Sequence, residues 1–243
     1  MQNSFYRNFL DENDKVVIVI GGGGKSTLIN RIVADCRSLG KTAIITSLFP
    51  FKIPVEAHTC ISNDVKMLKN QLADEIKKHT TVYLGKNLEK DVISGLNNKE
   101  VKELIRDIEA DHLFLEADIT YGRSLSDFAK IQKNFPFKVN RCINVIGADS
   151  FNQKRNPSWI ISDDPFWDSR PILTPLTISE WYKTHPVLQS FLKKAIPLTF
   201  FINKVENIFV ENLAIPLAKA FKMFGAEKVI IGSIYNSTIH VIK

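Results

Sequence analysis

The sequence has no apolar run long enough to cross a bilayer. Its longest runs, such as Val16–Ile20 and Val229–Ile231, fall far short of the about 20 residues a spanning helix needs, which excludes an integral helical membrane protein. The opening segment carries Asp11, Glu12 and Asp14 and lacks the apolar stretch of a secretory signal, so a cytoplasmic location is expected. Cysteine is scarce. Cys36, Cys60 and Cys142 are odd in number, far apart and outside any C-x-x-C spacing, which argues against a disulfide frame or a thiolate zinc site and leaves buried, reduced packing residues. Nor is there a block of like charge, because 32 Lys+Arg stand against 26 Asp+Glu for a net charge of +6. The densest basic spot, Lys77–Lys78 beside His79, reads as a helix end, where cations suit the dipole. Nucleic acid is therefore not the expected partner, whereas a modest positive balance favours small anions such as nucleotides. The five histidines, His58, His79, His112, His185 and His240, lack metal-ligand spacing and read as structural or surface residues. No Ser-His-Asp or Cys-His arrangement is evident, and no internal repeat.

What remains is an ordinary globular composition, 44% hydrophobic and 24% charged over 243 residues, from which a single domain over 1–243 is expected. Apolar runs alternate with helical patterns, which predicts an α/β fold with a mainly parallel sheet. Lys15–Ile20 is a β-branched run of the kind found in strands buried on both faces. The pattern turns helical from Lys25, with Leu28, Ile29, Ile32, Val33 and Cys36 on one face and Gly40 as a stop. Thr42–Thr46, Thr81–Leu84, His112–Glu116, Arg141–Gly147, Pro197–Asn203 and Lys228–Gly232 are further predicted strands, with a short edge strand ending at Val241. Val65–Lys78 is a predicted helix with cap candidates Ser62 and Asn63. Asn97 and Glu100 form a capping-box pattern ahead of Val101, Leu104, Ile105 and Ile108. Asn207–Phe224 is helical, with Pro216 expected to kink it or start a new helix. Between Phe151 and Thr184 the periodicity fails in a stretch rich in Pro, Ser, Asp and Trp, so 151–184 reads as an insertion or lid.

The strongest motif is Gly21-Gly22-Gly23-Gly24-Lys25-Ser26-Thr27, set between a buried strand and an amphipathic helix as a P-loop requires. Glycines let successive N–H groups approach phosphate oxygens, and the following helix adds its positive end. Lys25 supplies a charge for the β- and γ-phosphates, and the Ser26 hydroxyl is placed to ligate Mg²⁺. Val19 stands where the longer G-x-x-x-x-G-K-[ST] form has its first glycine, so the loop fits the shortened G-x-x-G-K-[ST] form. Glu116 and Asp118 end a hydrophobic strand as a Walker B acid does, and either could hold the metal or position water. Thr46 and Ser47 are weaker candidates for the γ-phosphate side. Asn203-Lys204-Val205-Glu206 resembles the N-K-x-D box that holds guanine, with glutamate in place of aspartate; the alternative is a strand end running into a helix start.

In order along the chain, GGGGKST, FLEAD, VIGADSF, ILTP and a proline-led strand into NKVE resemble the selenium-dependent hydroxylase accessory proteins, the YqeC-like family of P-loop proteins. Family members show a G-A-G-G-K-T-T loop, an E-A-D-G segment, a V-G-L-D segment and a late N-K-x-D. Here Ile119 replaces the glycine after the aspartate, Thr46-Ser47-Leu48-Phe49 replaces a threonine-rich run, Ser126 stands where a lysine is expected, and Glu206 replaces aspartate. The resemblance implies that Gly21–Thr27 bind triphosphate, that Glu116 and Asp118 serve metal and catalysis, and that Asn203 and Lys204 sit by the base. It also implies a role in maturing a selenium-carrying molybdenum hydroxylase, with that enzyme or its cofactor-assembly proteins as partners.

The expectation is thus a three-layer α/β P-loop nucleoside triphosphatase. Its catalytic residues would be Lys25, Glu116 and Asp118, its Mg²⁺ ligands Ser26, Glu116 and Asp118, and its nucleotide ATP or GTP. Two alternatives stay open: a transferase or ligase with an acceptor pocket in 151–184, and a nucleotide-regulated binding module without turnover.

Overall fold

The computed structural model of the protein describes residues 4–242. In chain order the elements are α1 (Phe5–Phe9), β1 (Val16–Gly21), α2 (Lys25–Ser38), β2 (Ala43–Ser47), β3 (Phe51–Lys52), β4 (Thr59–Ile61) and α3 (Val65–Lys78). There follow β5 (Thr81–Gly85), β6 (Leu88–Glu89), β7 (Val92–Ile93), α4 (Asn98–Ile105), β8 (His112–Glu116) and β9 (Arg141–Gly147). The chain ends with α5 (Pro175–Thr184), α6 (Pro186–Lys193), β10 (Leu198–Asn203), α7 (Ile208–Phe224), β11 (Lys228–Ser233) and β12 (Thr238–Ile242).

Nine strands form one sheet in the order β12-β11-β10-β9-β1-β8-β2-β5-β4. Every pairing is parallel except that of β12 with β11. The central strands are apolar on both faces because helices cover both, as parallel crossovers demand. Along β1, Val16, Ile18 and Ile20 join the cluster under α3, α4, α5 and α7, while Val17 and Val19 pack with Phe5, Phe9, Leu28 and Ile32 of α1 and α2. That alternation makes the fold α/β with helices on both faces of the sheet. The short strands β3, β7 and β6 form a separate antiparallel sheet. Among the described residues, no helix is long and apolar enough to cross a membrane.

Local signals explain the element ends. The Asn97 side chain accepts from the Lys99 and Glu100 N–H groups while Glu100 returns a bond to Asn97, a complete capping box. The helix it starts closes at Ile105, so Ile108 lies beyond it. Asp64, rather than Ser62 or Asn63, caps α3. Pro216 neither breaks nor restarts α7, which runs unbroken around it. The proline is exposed, and the opposite face carries the buried Ala214, Leu217, Ala218 and Phe221, so one backbone bond is forgone on the solvent side without disturbing the packed side.

The stretch 151–184 is partly irregular and partly helical. Lys154 forms an isolated bridge with Ile172, and from Pro175 the chain is helix, capped by Thr174. Trp167 and Trp181 are buried with ring centroids 5.0 Å apart, and the Trp181 indole N–H donates to Asp164. These two tryptophans fasten the segment to the core, so the structure does not present them as free to close over a ligand.

Candidate functional site

Four adjacent strands end together at one edge of the sheet. Gly21 closes β1, Glu116 closes β8, Gly147 closes β9 and Asn203 closes β10, and the register pairs Val19 with Glu116, Gly21 with Val145 and Asn203 with Gly147. This is the carboxyl end of a parallel sheet, where α/β folds gather their chemistry.

The glycine run forms the turn from β1 into α2, with positive φ at Gly21, Gly23 and Gly24. Gly23 can be nothing else, because a Cβ there would lie 2.4 Å from the Gly147 nitrogen. No side chain caps the start of α2, so the N–H groups of its first turn have no partner within the helix. Earlier amides of the loop are engaged. Gly21 N–H donates to Asp118 Oδ2 at 2.8 Å, Gly22 N–H to the Val145 carbonyl at 2.9 Å, and Gly23 N–H to the Arg123 carbonyl at 2.7 Å.

Lys25 is buried and reaches back across the loop. Its ammonium donates to the Gly21 carbonyl at 2.8 Å and to the Thr120 hydroxyl at 3.3 Å, and it pairs with Asp118 Oδ1 at 2.9 Å. Asp118 thus holds both the loop lysine and a loop amide. Glu116, also buried, has its carboxyl pushed up chiefly by loss of solvent; the Lys25 charge and the Ser26 hydroxyl oppose that rise, and the Asp118 charge adds to it. Ser26 and Thr27 are exposed in the first turn of α2. The donor set of Ser26 hydroxyl and Glu116 carboxylate is all oxygen, which suits a hard divalent cation; Asp118 Oδ2 accepts from the Gly21 N–H, while Oδ1 faces the Lys25 ammonium and has no hydrogen-bond donor.

Asn203 is buried and braces the loop from the other side. Its amide donates to the Gly23 carbonyl at 2.8 Å and its oxygen accepts from the Ile234 N–H at 3.1 Å. Lys204, at positive φ, pairs with Asp149 at 2.6 Å, and Asp149 also accepts from the Ser124 hydroxyl at 2.6 Å. Glu206 is exposed and lines a groove with Asn207, Glu211 and His240 near the start of α7. The structure therefore brings together Gly21–Ser26, Glu116, Asp118, Asn203 and, at the margin, Lys204.

Thr46 and Ser47 are engaged within the fold, donating to the carbonyls of Leu84 and Glu116. The segment Thr120–Leu125, which sequence reasoning did not single out, lies directly on the glycine loop. Its one sequence signal is Gly122, which takes positive φ in a tight Thr120–Arg123 turn. All three cysteines are free and buried, and burial lifts the Cys36 thiol to about 12 and the Cys60 thiol to about 11, so neither is a ready nucleophile.

The family model described as YqeC protein matches residues 17–163, a span that holds the glycine loop, Glu116, Asp118 and Asp149. No curated protein matches the sequence at a significant level.

Proposed function

The chain belongs to the YqeC family, and on that premise we propose that it binds a Mg²⁺-nucleoside triphosphate at Gly21–Thr27 and hydrolyses it slowly while assisting maturation of a selenium-dependent molybdenum hydroxylase. The observation that carries this reading is the buried lysine on an uncapped helix start, held beside two buried carboxylates at the carboxyl end of the sheet. Phosphate oxygens meet the first-turn N–H groups of α2 and the Lys25 ammonium. To reach them, Lys25 exchanges Asp118 for phosphate, and Asp118 stays tethered to the loop through the Gly21 N–H. Ser26 and Glu116 would hold Mg²⁺, which supplies charge neutralisation on the phosphates. A carboxyl whose proton affinity is raised by burial can also orient and accept a proton from water, a role open to Glu116. Asn203 keeps the loop in shape, and Lys204 and Glu206 are the proposed base-side residues.

A second reading, transfer of a phosphoryl group to a small acceptor, is favoured by one feature. A cavity of about 170 Å³ opens beside Asp118, lined by Thr120, Tyr121, Arg123, Ser126 and Ile161 among others. The deciding experiment is nucleotide titration by thermal shift with and without Mg²⁺, followed by product analysis. A ligand at 100 times its Kd adds about 2.7 kcal/mol of stability. Orthophosphate alone as product supports hydrolysis, phosphate on a second molecule supports transfer, and the absence of any nucleotide-dependent shift defeats both.

A further inference from the structure

His58 and His79 stand on either side of α3 and lack metal-ligand spacing in the sequence. The structure brings them face to face, with ring centroids 3.4 Å apart and planes inclined by 12°. Glu75 completes a cluster. Its Oε2 lies 3.5 Å from His79 Nε2, and one ligand atom from each of the three residues lies within 4.8 Å of the others. We propose that His58, Glu75 and His79 form a binding site for a borderline divalent cation of the Zn²⁺ type, with water filling the remaining position.

Several physical arguments converge on this assignment. Two imidazole nitrogens and one carboxylate oxygen are a ligand set suited to Zn²⁺ and its first-row neighbours, and a poor one for Mg²⁺, which wants oxygen throughout. Glu75 and His79 stand one turn apart at the end of α3, so they share a helix face. The backbones are already fixed: the Tyr83 N–H of β5 donates to the His58 carbonyl at 2.8 Å, and the His79 N–H donates to the Glu75 carbonyl at 2.8 Å. Stacked rings aim their lone pairs in parallel, and binding therefore requires them to splay toward a common point. His58 is exposed and His79 half-buried on an open groove, which leaves room for that rotation. Lys78 occupies the far oxygen of Glu75 at 3.1 Å and leaves Oε2 on the histidine side.

The cluster lies at the amino ends of β4 and β5, away from the glycine loop at the carboxyl end of β1. A cation here would fasten the edge strand β4 to the end of α3, independently of nucleotide. Untagged protein titrated with Co²⁺, a coloured stand-in for Zn²⁺, tests this directly. The expected result is a saturable visible band of one Co²⁺ per chain that one equivalent of Zn²⁺ removes, with affinity falling at least about tenfold in both His58→Ala and His79→Ala. Circular dichroism checks that these surface variants stay folded. No saturable band in the wild type, or an unchanged band in His79→Ala, overturns the site. So does a band lost in Glu116→Gln yet kept in His79→Ala, since that locates the cation at the glycine loop.

Discussion

The Lys25 ammonium lies 2.9 Å from Asp118 Oδ1, with the two side chains only 6% and 3% exposed. A nucleotide arriving at the loop must therefore compete with a carboxylate already in place. Asp118→Asn removes the carboxylate that pairs with the buried ammonium and leaves Glu116 as the neighbouring negative charge; removing one partner of a buried pair costs up to about 3–5 kcal/mol. The nucleotide-free variant should lose stability of that order in urea, yet bind triphosphate at least as tightly as the wild type, because Lys25 is released. Turnover should fall. Weaker binding together with wild-type stability would show that the pair does not restrain the lysine.

Lys25→Ala removes the cation that the phosphates would meet. Nucleotide affinity should drop by at least tenfold in calorimetric titration, with the far-ultraviolet spectrum unchanged. Affinity equal to the wild type would remove Gly21–Thr27 from the binding reading.

Glu116 offers a pH test with a defined sign. Burial raises its carboxyl above the ordinary 4.5, so the ionised form destabilises the fold at neutral pH, and the penalty is relieved as pH falls through the raised value. Glu116→Gln should therefore be more stable than the wild type at pH 7, with the difference vanishing near pH 4. Paired urea melts at the two pH values decide it. A variant less stable at pH 7 would mean that the ionised carboxylate is net favourable where it stands.

Two glycines separate backbone strain from steric blocking. Gly40 has φ of +68° and open space around its missing Cβ, whereas Gly23, at +76°, faces the Gly147 backbone at 2.4 Å. Gly40→Ala should cost only the strain, about 1–3 kcal/mol. Gly23→Ala should cost more and also abolish nucleotide binding, because the glycine loop and the end of β9 must part to admit the methyl group. Equal melting temperatures would count against the close approach of the loop to Gly147.

The proposed base contact at Glu206 predicts a nucleotide preference. If it accepts from guanine N1–H and N2–H₂, GTP should outcompete ATP, Glu206→Asp should sharpen the preference, and Glu206→Ala should erase it while phosphate-driven affinity persists. Competition binding with all three proteins is the measurement, and equal affinities throughout would leave Glu206 a helix-start residue.

The buried strands were readable because burial on both faces leaves continuous β-branched runs, as in Val16–Ile20 and Val229–Ile231. The capping box at Asn97 and the left-handed glycine at position 40 also act locally, and local chemistry is what a sequence displays. Two helices were missed for one reason: Pro175 and Pro186 look like breakers, but each stands in the first turn, where its missing N–H costs nothing. The irregular reading of 151–184 accordingly fails from Pro175 onward. Hydrogen exchange should show Ile178, Trp181 and Tyr182 protected like the sheet, in contrast to 152–158. At the site, the glycine run, Lys25, Glu116 and Asp118 were legible. The role of Asn203 as a brace, the docking of Arg123 on Gly23 and the meeting of His58 with His79 were not, because each depends on which strand ends become neighbours.

Arg141 extends these relationships to the far end of the sheet. Buried at the start of β9, it bonds Asp14 at 2.5 Å, Asp11 at 2.5 Å and Glu227 at 2.8 Å. All three carboxylates lie outside the span matched by the family model. A fragment trimmed to that span would leave the Arg141 guanidinium without its three carboxylates and uncover the edge of β9 once β10 is gone, an unpaired strand edge of the kind that pairs with other chains.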